Sequence, residues 1–430
     1  MSATASAALV LAVMAGAFVV AKLLKVSTEL SLFAAALAGA LAGGHGVPSR
    51  HIVEGAFTYF DIVLIFVTAT LFMNLLKESG AAAFVVRAIL RRFHRRKVPL
   101  FVLLALLLLV PGGLTGAGSV TVLIMGGMAA TILGTMDIPG PKVAAIIFVI
   151  AGLSAAAPPV NLWAMLTAAG VNMPYVGFFL PLLVPCVVLA LLTIFILGAG
   201  AKPVDLAKAM AELPVAPAGM SWLRVAVPFL VFFLLVAAGR VFPFDVPVLG
   251  LPLMFAAAAA AALALSPVRL DVWRISRDTV HQLLPLVGTL TCAGILVQIM
   301  ALTGVRGLIA ITTVTLPVTV VFLTLFLTLP VSEAVLMWGA APVLGVPLVL
   351  LFNTIGLDPV IALAGMSVIW PLGDAIPPTA IIGRLTTSTV GMKEPYGKFL
   401  RACLVPAALI AVVGTLMVVF SKKLAFLQVF

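Results

Sequence analysis

Apolar blocks long enough to cross a bilayer, which takes roughly 20 residues each, follow one another along nearly the whole chain, with polar residues gathered in short gaps. The first blocks fall near 5–23, 29–44 and 58–76. Residues 81–97 are different: Phe84, Val85, Ile89, Leu90 and Phe93 oppose a row of arginines, the pattern of a helix lying at a membrane surface. Blocks then follow at 98–134, 142–170 and 175–199, and a polar linker covers 200–222. The second half repeats the series at 223–240, 248–266, 282–301, 312–351, 358–388 and 399–420. The block at 5–23 lacks a basic leader and a cleavage motif, so it reads as a retained first span.

Four of these blocks are interrupted by polar or proline-rich sequence. Residues 98–134 contain PGGLTGAGS at their centre, and two full spans plus a loop would need more than the length available. A re-entrant hairpin fits, because irregular backbone at membrane depth is tolerated where protein or a water-filled cavity covers it. The block 312–351 carries the milder break LPVSEA and is read the same way. The blocks 142–170 and 358–388 each contain a Pro-Pro pair, Pro158-Pro159 and Pro377-Pro378. Pro111 precedes the first pair by 47 residues and Pro330 precedes the second by the same 47, with Leu166-Thr167 and Leu385-Thr386 also in register. Interrupted hydrophobic segments at matching places in two halves point to the binding site of a secondary transporter. At each break alone, a packing kink is the plain alternative, since Gly and Pro are frequent in membrane helices.

Composition confirms the class and removes others. The 430 residues are 63% hydrophobic and 9% charged, with a mean hydropathy of +1.30. The predicted fold is therefore an all-α polytopic membrane protein and not a barrel, which would show short alternating segments. The net charge of +11 does not mark a nucleic-acid binder, because the basic residues sit in the loops. No CxxC, HExxH or Walker A motif occurs, no nucleophile–base pair is visible, and the chain reads as no enzyme. Cys186, Cys292 and Cys403 lie in apolar blocks and read as packing residues.

Counting each hairpin as non-crossing gives two five-crossing halves, and an odd number inverts the second half relative to the first. Lysine and arginine favour the cytoplasmic side. With Arg87, Arg91, Arg92, Arg95, Arg96 and Lys97 inside, 19 of the 25 basic residues fall inside. Arg50, Arg240, Arg306, Lys422 and Lys423 fall outside, and Arg384 lies within a block. This orientation puts both termini on the periplasmic side of a bacterial inner membrane. Residues 1–199 form the first repeat, 200–222 a cytoplasmic linker and 223–430 the inverted second repeat.

The breaks supply candidate ligands for a coupling ion. A helix ending near Val110 offers free carbonyls to a cation, and one starting near Ser119 offers N–H groups to an anion. Gly112, Gly113, Gly116 and Gly118 permit the turn, and Thr115 and Ser119 add hydroxyls. Pro158 frees carbonyls near Asn161, and Pro377 does so near Thr379. The ionisable residues at depth are Asp61, Glu333, Asp374 and Arg384, and such residues are functional candidates by default. Glu333, beside Ser332, is expected at the tip of the second hairpin. Glu333 and Asp374 suit a cation or a proton, or else pair with Arg384 or cap a half-helix. Arg384 suits a carboxylate clamp or snorkels to the interface. Asp61 reads as interfacial. The cation set is thus Thr115, Gly116, Gly118, Ser119, Pro158, Asn161, Ser332, Glu333, Asp374, Pro377 and Thr379. The substrate set is Ser119, Asn161, Ser332, Thr379 and Arg384. Thr167 and Thr386 are expected to bond their own helices.

Several stretches resemble one family. GLDPVIALAGMSVIWPLGDAIPP, from Gly356 to Pro378, is similar to the G-I-D-P-V and I-G-x-x-T-P-P patterns of the large membrane subunit of tripartite ATP-independent periplasmic (TRAP) transporters. GLTGAGS, APPV and FMNLLKESG resemble that family's G-x-x-S-G-S-S, P-P-S and M-x-x-S-G stretches. The chain departs from the family where VFPFDVPVLG replaces G-x-F-T-P-T-E-A, at Ala117-Gly118-Ser119, and at Ile376. The resemblance implies an ion transporter superfamily member that moves organic anions, mostly carboxylates, with Na⁺. It also implies an elevator motion of a transport domain against a scaffold, with a periplasmic binding protein and a small membrane subunit as partners. A single-component relative, alone or as a homodimer in membrane lipid, is the other form the departures allow. Proton coupling through Asp374 or Glu333 is the alternative to Na⁺. A channel, or a membrane subunit without transport, is the reading from a different class. No transition metal, organic cofactor or nucleic acid is expected.

Overall fold

The computed structural model of the chain describes residues 3–428 apart from 243, 246 and 248. Among the described residues every regular element is helical, and nine helices are long and apolar enough to cross a membrane. Five shorter apolar helices join them. The protein is a multi-pass membrane protein.

The first half opens with α1 (Ala3–Leu23), α2 (Thr28–Ala42), α3 (Ser49–Phe57) and α4 (Phe60–Glu78). The amphipathic stretch forms α5 (Ala81–Phe93), entered through Gly80 in a left-handed conformation. Arg87 on its polar face donates to the carbonyls of Met210, Leu213 and Pro214, which pins the linker to it. Then come α6 (Lys97–Thr115), α7 (Gly118–Thr135), α8 (Gly140–Ala156), α9 (Leu162–Gly170) and α10 (Phe179–Leu197). The linker contains the short α11 (Leu206–Glu212), capped by Asp205.

The second half runs α12 (Trp222–Val241), α13 (Leu251–Ala264) and α14 (Val272–Leu302), then α15 (Val305–Thr315) and α16 (Val318–Leu336). It ends with α17 (Ala341–Thr354), α18 (Pro359–Ala375), α19 (Ile381–Val390) and α20 (Tyr396–Val419). The order recurs at one spacing: Ala3 and Trp222, Gly140 and Pro359, and the π-helical turns Val122–Gly126 and Ala341–Gly345 each lie 219 residues apart.

The two halves interlock. α2 packs along α14, and α13 packs along α4, so the second helix of each half lies on the long helix of the other. α9 packs on the π-turn of α17, and α19 packs on the π-turn of α7. α8 and α18 sit at the centre. Every residue from Val143 to Ala156 is buried, as is every residue from Ile361 to Ile369. A helix apolar on all faces belongs in such a core. Between membrane helices packing and buried hydrogen bonds hold the contact, since lipid is as apolar as leucine.

Three expectations about elements change. α14 starts ten residues earlier than the block at 282, because the polar stretch from Arg274 to Gln282 is helical and salt-bridged to α4 through Arg274 and Glu78 at 3.1 Å. The first arm of the hairpin at 98–134 does not end near Val110. α6 continues through Pro111 to Thr115 and turns at Gly116, whose φ of 67° suits glycine. In the block 312–351, α16 likewise runs through Pro330 and ends at Leu336, and the chain turns at Met337 with φ 55°. Glu333 therefore lies in the last turn of a helix and not at the hairpin tip.

Candidate functional site

Both Pro-Pro pairs end a buried helix and are joined by cis peptide bonds. In each half the next residue reaches back to the hairpin. The Val160 N–H donates to the Gly113 carbonyl at 3.1 Å, and the Thr379 hydroxyl donates to the Ala334 carbonyl at 2.9 Å. The breaks are thus fastened to the hairpins by one hydrogen bond each.

At the first break, polar groups are committed to backbone. Asn161 caps α9: its Oδ1 accepts from Ala164 N at 2.9 Å, while Nδ2 donates to the Ala156 carbonyl at 2.7 Å. The Thr115 hydroxyl donates to the Pro111 carbonyl at 2.7 Å. Thr121 Oγ1 accepts from Gly112 N and bonds Ser154 Oγ, both at 2.8 Å, and Ser154 donates to Ala151. Gly118 fits against the Ala151 carbonyl, where a methyl group would come within 2.7 Å. Ser119 is half-buried with no hydrogen bond from its hydroxyl.

The second break holds the charged chemistry. Glu333 is fully buried, and its Oε2 accepts from Trp163 Nε1 at 2.9 Å. Trp163 stands on α9, five residues beyond Pro158, so the first half's broken segment grips a carboxylate of the second half. Glu333 Oε1 is buried without a partner. Asp374, at 5% exposure, has an unpartnered buried oxygen of its own, Oδ2. Its neighbour Gly373 brings the two segments together: a methyl there would lie 2.6 Å from Glu333 Cβ and 2.3 Å from the Pro330 carbonyl. Ser332 donates to Leu329 and accepts from Trp370 Nε1, and Tyr396 donates to the Ala375 carbonyl. Buried polar atoms without partners are costly, and two buried acids with such oxygens have the chemistry to take up a proton or a cation.

Two cavities meet at the first break. One, of about 380 Å³, is lined by Pro158, Pro159, Tyr175, Phe179, Leu251 and Arg240. The other, of about 590 Å³ and almost wholly apolar, is lined by the same prolines and Phe179 and reaches Lys77 and Trp222. The smaller one falls within the roughly 300–1,000 Å³ range of small-molecule pockets and carries a guanidinium.

The sequence-based candidates therefore divide. Glu333 and Asp374 come together at one site with free oxygens. Thr115, Asn161, Ser332 and Thr379 bond backbone, and Gly116 and Gly118 serve turn and packing. Pro158 lines both cavities, whereas Pro377 is exposed. Arg384 is exposed, makes no side-chain hydrogen bond or ion pair among the described residues, and lines neither cavity. Asp61 is exposed in the first turn of α4. Thr386 bonds its own helix as expected, but Thr167 crosses to the Ala341 carbonyl at 3.2 Å in the π-turn of α17. Trp163 and Arg240 are additions to the site: the sequence reading does not single out Trp163 and uses Arg240 only in the orientation count. Arg240 carries a readable signal, a lone cation at the end of an apolar span.

No family model matches the chain, and no curated protein matches its sequence. Two solved structures share its fold. MtrF of Neisseria gonorrhoeae, described within a class of antimetabolite efflux pumps, is 15% identical with a TM-score of 0.63, covering 86% of this chain and 83% of its own. The YdaH transporter of Alcanivorax borkumensis, described as having an unusual topology, is 14% identical with a TM-score of 0.61, covering 86% and 87%. The likeness shows a membrane transporter fold and does not single out the TRAP permease subunit.

Proposed function

We propose that this protein is a secondary active transporter that moves a small organic anion with a coupling cation. The observation that carries the reading is the buried Glu333–Asp374 pair, each acid with a free oxygen, bound through Trp163 to the segment that walls the Arg240 cavity. The charge arrangement fits an anion at Arg240 and a cation at the acids. Both fold neighbours are described as transporters or pumps, which supports the class.

A proton is the coupling ion this geometry favours. Two free oxygens satisfy a proton, whereas a hard cation asks for several more oxygens by analogy with other hard ions, and the nearby hydroxyls are committed to backbone. Na⁺ is the second reading, supported by the uncommitted Ser119 hydroxyl at the first hairpin and by the TRAP-like motifs. The 219-residue recurrence and the interlocked breaks support two inverted repeats, and the mutual packing of α2 with α14 and α4 with α13 supports a scaffold for an elevator. The distribution of basic residues supports a bacterial inner membrane with periplasmic termini.

The test is accumulation of labelled organic acids in proteoliposomes containing the purified chain alone. Accumulation driven by an inward proton gradient at constant Na⁺ is the expected result. Accumulation that follows only a Na⁺ gradient removes the proton reading, and no accumulation under either removes coupled transport.

A further inference from the structure

The 590 Å³ cavity has the form of a lipid site. It is bounded by α4, α5, α6, α10 and α12, and its lining is apolar except for one charged side chain, Lys77. Lys77 stands in the last turn of α4 and is exposed, and among the described residues no carboxylate lies within salt-bridge distance of it. Beside it, Trp222 meets Phe84 of α5 edge to face at 5.2 Å. Trp and basic residues gather at this level of a membrane. From Trp222 the lining continues along α12 to Phe233, eleven residues or about 16 Å of helix. One leaflet of the hydrocarbon core is about 15 Å deep. The cavity is thus one leaflet long, apolar throughout, with its cation at the interfacial end.

We propose that this cavity holds an acyl chain of an anionic phospholipid from the leaflet on the Lys77 side, with the headgroup against Lys77. Three properties select that occupant. The depth matches one acyl chain and not a spanning segment. Apart from Lys77 and the Trp222 indole, the lining offers no polar side chain for a polar solute, and Arg240, assigned to the substrate, lines the other cavity. The one charged side chain of the lining, Lys77, is positive, and basic pockets between membrane helices attract anionic headgroups. A chain in this cavity would lie against Pro158 and Pro159, which also line the substrate space. The proposal stands on the cavity alone and does not require the transport reading.

The experiment uses the full chain in phosphatidylcholine nanodiscs with a trace of phosphatidylglycerol carrying a photoreactive acyl chain. The expected result is cross-linking concentrated on α6 and α12 residues facing the cavity. Phosphatidylglycerol should outcompete a phosphatidylcholine probe about five-fold, the preference one interfacial lysine supplies. Lys77→Gln should bring that preference to about one, and Ala226→Phe, which fills the cavity, should remove the cross-links at these positions. Lys77 is an exposed rim residue, so the first variant reports even if the second fails to fold. Cross-links spread evenly over all lipid-facing helices would overturn the proposal. So would a headgroup preference that survives Lys77→Gln, or displacement of the probe by free oleate with no preference for phospholipid.

Discussion

The Glu333→Gln substitution is the sharpest probe of coupling. Glutamine keeps the size of the side chain, and its amide oxygen can still accept from Trp163 Nε1, a bond of 2.9 Å in the wild type. The change therefore removes the acidic proton site at nearly constant shape. Glu333→Ala is less clean, because it orphans the buried indole N–H at a cost of about 1–3 kcal/mol. With one proton carried per anion, a pH step of one unit supplies about 1.4 kcal/mol, which is about ten-fold accumulation. Glu333→Gln should lower this to about one-fold, while exchange of internal for external substrate continues. Asp374→Asn should act in the same direction. Trp163→Phe leaves the acid in place and removes only its donor, so steady-state accumulation should persist at a lower rate. Ten-fold accumulation surviving in Glu333→Gln would refute the assignment.

Other substitutions test the surroundings. Arg240→Gln should weaken uptake of the labelled anion by raising its KM, read from initial rates, with the melting temperature unchanged because the side chain is exposed. Gly112→Ala would place a methyl 2.0 Å from Ser154 Oγ, and such overpacking costs about 1–3 kcal/mol. Gly127→Ala meets nothing within 4 Å and should be neutral or gain up to roughly 1 kcal/mol, so the two melts in detergent should move in opposite directions. Asn161→Ala removes the cap of α9 and should cost about 0.5–2 kcal/mol, while Asn161→Asp keeps the accepting oxygen and should cost less. Lys202, at 2.6 Å, holds the Asp137 carboxyl below its usual range. A depressed acid contributes stability above its unfolded value and loses it as the pH falls through the folded one. Asp137→Asn should therefore lower the melting temperature slightly at neutral pH and not at strongly acidic pH, with the effect small because the pair is exposed.

The spans, the surface helix and the duplicated Pro-Pro breaks were legible because hydropathy and proline act locally. The tips of the hairpins were not. Pro330 resembles Pro111 in sequence, but a membrane helix runs through proline when neighbours satisfy the freed groups, and both helices do so here. The turn in the second hairpin is made by Met337 in a positive-φ conformation, which methionine does not announce. The start of α14 was hidden because its first turns are polar and sit against α4. In the site, Glu333 and Asp374 stood out because acids are rare in apolar blocks. The hydroxyls and Asn161 carried the right chemistry, but only the folded backbone shows that caps and hairpin carbonyls take them up. Trp163 was invisible for the opposite reason: a tryptophan in an apolar run looks like core until its N–H is seen to need a partner.

What joins these pieces is a stretch of six residues. Pro158 and Pro159 line both cavities, Val160 fastens the stretch to the first hairpin, Asn161 caps α9, and Trp163 holds Glu333. On the proposed function, an anion in the Arg240 cavity and a cation at Glu333 would act on opposite ends of this short segment. Coupling requires that each ligand bind one arrangement of a shared element better than the other. A segment capped at one end and hydrogen-bonded at the other suits that role, because shifting it breaks the Trp163–Glu333 bond and reshapes the cavity wall together. At the second break the Thr379 hydroxyl bonds the hairpin of its own half, while Ile382, the counterpart of Trp163 at the 219-residue spacing, lies against Gly118 of the first hairpin. Each break thus touches the other half's hairpin, by an indole N–H on a carboxylate in one case and by apolar contact in the other.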